Sequence, residues 1–101
     1  MKPNLHKLRV PSVPMGLELD PEAGAAYVRY STEKVQKTLD IGRGQGVFNI
    51  DLDAKGGIIG VEIVGFATLN IQTIQRLILR YTAKKVDLSS ARISMPEMCP
   101  V

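Results

Sequence analysis

The chain has 101 residues, 45% of them hydrophobic and 23% charged, a length and composition suited to one compact domain. That argues against a multidomain enzyme and against a disordered tail protein. Thirteen Lys and Arg against ten Asp and Glu leave a mild net charge of +3, which identifies no ligand class by itself.

A single cysteine, Cys99, excludes an intramolecular disulfide framework. The segment Met1 to Arg9 alternates charged and apolar residues and does not read as a signal peptide. The longest apolar stretch, Gly57 to Leu69, is interrupted by Glu62 and is too short to span a bilayer. A soluble cytoplasmic protein is the expectation.

In chain order, residues 1–16 contain Pro3, Pro11, Pro14 and Gly16 and read as an extended N-terminal arm. Leu5, Leu8 and Val10 stud that arm with apolar side chains suited to docking. A single α+β domain is expected over residues 17–92, followed by a loose C-terminal tail over 93–101 with Pro96 and Pro100.

Within the domain, Leu17-Glu18-Leu19 is a short alternating run that stops at Asp20-Pro21-Glu22-Ala23-Gly24, a strong turn signal. Ala25 to Tyr30 is rich in β-formers. A break at Ser31 to Lys34 leads into Val35 to Ile41. Val47 to Asp53 alternates most clearly: Phe48, Ile50 and Leu52 share one parity, Asn49, Asp51 and Asp53 the other. Asp53-Ala54-Lys55-Gly56-Gly57 then signals a hairpin. In Ile58 to Val64, Ile59, Val61 and Ile63 are expected on one face and Gly60 and Glu62 on the other. The sum is an antiparallel β-meander of about five strands.

Near Thr68 to Asn70, either of which can cap a helix, the period changes. Ile71, Ile74, Leu77, Ile78 and Tyr81 form one helical stripe, which predicts a C-terminal α-helix packed on one face of the sheet. Val86-Asp87-Leu88 reads either as a short strand or as a helix tail.

Three stretches combine into a recognisable order. They are Asp20-Pro21-Glu22-Ala23-Gly24-Ala25-Ala26-Tyr27-Val28-Arg29, then Val47 through Asp53, then Gly56 with Gly60-Val61-Glu62-Ile63. Together they resemble the small prokaryotic family catalogued as domain of unknown function 2283, over about residues 17–65. The resemblance implies a β-meander followed by a helix and supplies no established activity. Family members often carry Asp where this chain has Gly24 and Leu where it has Ala26. Their occurrence beside other small uncharacterised proteins implies a partner-binding role at most.

Candidate chemistry is sparse. Asp51, Asp53 and Glu62 are the metal-ligating candidates, because paired carboxylates hold divalent cations or perform acid–base work. The third and final acidic ligands of a calcium loop are missing, and a solvated face with turn-forming aspartates is the favoured reading. Arg76, Arg80, Lys84 and Lys85 form a basic helical stripe that suits phosphates, although cations near a helix C-terminus are favoured by the macrodipole alone. The chain has no Trp and few other rings for base stacking. Gly42-Arg43-Gly44-Gln45-Gly46 lacks the Lys-Ser/Thr ending of a phosphate loop and precedes a strand, so it reads as a hairpin loop. His6, the one histidine, has no triad or zinc partners in sight. No catalytic residue and no cofactor is expected.

Charge is unevenly spread. Residues 1–17 carry +3, residues 18–65 carry −3, residues 66–92 carry +4 and the last nine −1. The leading expectation is a non-enzymatic protein-interaction module, a homodimer that also has scope to bind another small protein. A nucleic-acid-associated protein using the basic helix is the alternative, and a divalent-metal-dependent enzyme comes third. No membrane association is expected.

Overall fold

The computed structural model describes residues 13–20, 22–42, 46–65, 70–82, 85–89 and 91–94. Most of the N-terminal arm and of the C-terminal tail, with His6, Arg43, Lys84 and Cys99, lie outside the described residues. Six strands and one helix follow in order: β1 (Gly16–Asp20), β2 (Ala25–Arg29), β3 (Lys37–Asp40), β4 (Val47–Leu52), β5 (Ile58–Val64), α1 (Ile71–Thr82) and β6 (Arg92–Ser94). The α+β class and the C-terminal helix are as the sequence implies.

The strand order is not that of a simple meander. The sheet runs β3-β4-β5-β2-β1-β6. All neighbours are antiparallel except β1 and β6, which are parallel. The expected antiparallel meander is therefore corrected to a mixed sheet in which β5 lies between β4 and β2. Residues 30–36 carry the chain around the Asp53–Gly57 turn. Tyr30 and Ser31 both donate their amides to the Ile59 carbonyl at one side, and Gln36 donates to Leu52 at the other. The order 2-5-4-3 is a Greek-key return.

The polarity of the strands explains this sorting. β5 is buried at five of its seven positions, whereas β3 is exposed at Lys37, Thr38 and Asp40. A meander would place β3 in the middle and β5 at an edge, exposing the greasiest backbone to water and to other chains. The observed order puts the apolar strand at the centre and the polar one at the rim.

One sheet face is covered. Leu17, Ala26, Val28, Phe48, Ile50, Leu52, Val61 and Ile63 join Ile74, Leu77 and Ile78 of α1 in a single core cluster. The Phe48 and Tyr81 rings stack with centroids 4.6 Å apart, pinning α1 over β4. Val86 and Leu88 extend the same core from a segment that is neither strand nor helix, so its apolar residues reflect burial without regular structure. At Asp51/Leu52 the pairing with β5 slips. That slip brings Ile58 into the cluster opposite Leu52, a parity change that strict alternation does not foresee.

Asn70 starts the helix. Its side-chain oxygen accepts the Thr73 amide at 2.8 Å and its carbonyl accepts the Ile74 amide, the geometry of an N-cap. Within the predicted stripe, Ile74, Leu77 and Ile78 are buried, but Ile71 at the first turn remains exposed.

Candidate functional site

The opposite face of the sheet has no covering layer among the described residues. Register sets its rows. Ser94, Glu18, Tyr27, Glu62, Asn49 and Asp40 lie side by side across the six strands. Arg92, Gly16, Arg29, Gly60, Asp51 and Thr38 form the next row. Cross-strand neighbours on one face are close enough to interact, and these do.

Asp51 is the centre of the network. The Tyr27 hydroxyl donates to its Oδ2 at 2.7 Å, and the Thr38 hydroxyl donates to its Oδ1 at 2.7 Å. Tyr27 comes from β2 and Asp51 from β4, so the phenol must reach across β5. Gly60 makes that reach possible, because a Cβ there would collide with the Tyr27 ring. A glycine inside a strand thus marks a close approach, here of an aromatic ring. The Arg29 guanidinium sits over the same ring, 4.9 Å from its centroid, and its Nη2 lies 3.4 Å from Glu18 Oε1. Partial burial pushes the Tyr27 phenol well above its ordinary pKa. Its bond to Asp51 and that carboxylate's charge add to the rise, while Arg29 opposes it.

The three metal candidates are separately occupied. Asp53 belongs to the turn, where its Oδ1 accepts the Lys55 amide at 2.9 Å and the Gly57 amide at 2.8 Å. Asp51 serves Tyr27 and Thr38, and Glu62 accepts from Asn49 Nδ2 at 3.3 Å. Asp51 and Glu62 share the open face as diagonal neighbours, but Asp53 is not drawn to them. Among the described residues, no group of three His, Cys, Asp or Glu side chains is placed to hold a metal ion.

Of the basic candidates, Arg76, Arg80 and Lys85 are exposed, and Lys84 lies outside the described residues. The exposed side of α1 points away from the sheet, since its other side is in the core. The Arg80 guanidinium lies 5.9 Å from the Tyr81 ring centroid. No acidic residue interrupts α1. Among the described residues, no helix is long and apolar enough to cross a membrane.

Beside Tyr27 the open face dips into a hollow of about 310 Å³, lined by Glu18, Asp20, Tyr27, Glu62 and Ser94 among others. Its polar lining is three carboxylates, a phenol and a hydroxyl, and Leu19, Ala25 and Ala26 complete it.

Asp20 at the end of β1, Tyr27 on β2, Asp51 on β4 and Gly60 beside Glu62 on β5 thus lie on one sheet face. Over residues 17–66 the chain matches the family model described as Protein of unknown function (DUF2283). The chain belongs to the DUF2283 family. No curated protein and no solved structure matches it. The DUF2283 segment spans β1 to β5, so α1 and β6 lie beyond the matched region.

Tyr27, Thr38 and Gly60 are not candidate site residues by sequence pattern. Gly60 was the available signal. A glycine within an otherwise β-branched strand calls for a close neighbour, and Tyr27 has the parity to supply it.

Proposed function

We propose that this DUF2283 chain is a non-enzymatic protein-interaction module that self-associates and has the capacity to hold another small protein. The observation that carries the reading is the sheet face that no layer of the described residues covers. Its side chains are already bonded to one another, so it offers a rigid, preorganised surface whose ordering cost is low on binding. Among the described residues, β3 and β6 are the outermost strands, and a sheet rim is a place where a second chain can pair. A cytoplasmic setting fits the lone Cys99.

Light scattering on the eluting full chain tests this. Association that strengthens with concentration supports it, and deleting residues 1–14 should loosen the assembly if the arm is exchanged. A chain that stays monomeric at micromolar concentration and retains no partner overturns it.

The alternative reading, nucleic-acid association, draws on the exposed Arg76, Arg80 and Lys85 and on the absence of acidic residues from α1. It requires binding that falls steeply with salt and drops on Arg80→Glu. No mobility shift at low salt removes it.

A further inference from the structure

We propose that the acidic open face of the sheet binds the basic exposed side of α1 on a second copy, so that chains associate head to tail. The inference rests on the self-association reading and specifies its surfaces and symmetry.

Charge complementarity chooses the occupant. The open face carries Glu18, Asp20, Asp40, Asp51 and Glu62 against Arg29 and Arg92. Glu18 and Glu62 are exposed and flank Tyr27 at the hollow. Arg76 and Arg80 stand one helical turn apart, roughly 6 Å along the axis. Glu18 and Glu62 are two strand spacings apart, about 10 Å. The long arginine side chains cover the difference, and the hollow has room for a guanidinium.

Symmetry follows from where the two patches lie. α1 packs on the inner face of the sheet, so its exposed side and the open sheet face are on opposite sides of the molecule. A two-fold axis cannot stack acidic face on basic helix twice when the patches point apart. The contact is therefore heterologous, and it must close into a ring or grow. Its ion pairs are solvent-edged, so salt must weaken it.

The test uses the full chain and two paired variants in sedimentation. One has a blocked sheet face (Glu18→Ala with Glu62→Ala), the other a blocked helix (Arg76→Ala with Arg80→Ala). All four side chains are exposed, and unchanged circular dichroism and melting confirm that each variant folds. Wild type should assemble beyond two chains at low salt. Each variant alone should associate about tenfold or more weakly. An equal mixture should recover binding and stop at two chains, because only one face and one helix remain competent. Wild type that forms a dimer untouched by either pair of substitutions overturns the head-to-tail contact while leaving self-association standing. A monomeric wild type overturns both. Loss of polynucleotide binding in the helix variant, with self-association unchanged, assigns the helix to the nucleic-acid alternative and also overturns the proposal.

Discussion

The Tyr27 ring lies over Gly60, and only the missing side chain of that glycine lets its hydroxyl reach Asp51 two strands away. The pair couples β2 to β4 across the central strand.

Gly60→Ala should therefore eject the ring. The lost hydrogen bond costs about 0.5–1.5 kcal/mol, while replacing a strand glycine returns about 0.5–1 kcal/mol of backbone entropy. The two nearly cancel, so the denaturation midpoint should move little. The decisive readout is the Tyr27 ring followed by NMR through an alkaline titration. Its pKa should fall towards the ordinary 10.0. A Tyr27 titration identical to wild type would contradict the contact.

Asp51→Ala leaves two hydroxyls, on Tyr27 and Thr38, without their acceptor. Because the site is only partly buried, the expected loss is about 1–2 kcal/mol by urea denaturation. A double-mutant cycle of Tyr27→Phe with Asp51→Ala should return a coupling of about 0.5–1.5 kcal/mol. Additive effects would mean that the two side chains do not meet in solution.

Tyr30 differs from Tyr27. Its hydroxyl is buried and has no hydrogen-bond partner among the described residues, and burial pushes its pKa up to about 12. Tyr30→Phe should stabilise the protein by about 1 kcal/mol, because an unsatisfied polar group is removed at constant shape. The pH dependence has a definite sign. The unfolded phenol gives up its proton near 10.0 and the folded one near 12. Stability is therefore unaffected below pH 10 and falls as pH rises from there towards 12. The Phe variant should lose less stability across that window, as read from melting temperatures in alkaline buffers.

Asn70→Ala removes the cap that accepts the Thr73 amide and should cost about 1 kcal/mol. Asn70→Asp keeps the acceptor and adds a negative charge at a helix start that has none, for a gain of about 0.3–1 kcal/mol at low salt. Thermal melts of the two variants should bracket wild type.

Local patterns carried much of the fold. Alternation placed Phe48, Ile50 and Leu52 on the buried face, and Asp53 with Gly56 and Gly57 marked a turn whose bonds close within five residues. The helical stripe was legible for the same reason, since Ile74, Leu77 and Ile78 share a face by backbone geometry alone. The candidate site was harder to read. Asp51 and Glu62 stood out as carboxylates, but the groups that satisfy Asp51 come from β2 and β3, 24 and 13 residues away.

Those separations mark the division. The sequence by itself determined five of the six extended segments, the helix and the turns between the first strands, because these depend on neighbours within a few residues; β6 falls where a loose tail is expected. Tertiary structure decided the strand order, the parallel pairing of β6 with β1, and the slip that brings Ile58 opposite Leu52. A strand's pattern states how much of it must be buried, not beside which strand. Competition among all the strands for the centre of the sheet settled that, and β5 took it as the most apolar. The mild +3 of the whole chain was resolved in the same way. With the helix on one side and the open face on the other, a small excess became two opposed charged surfaces.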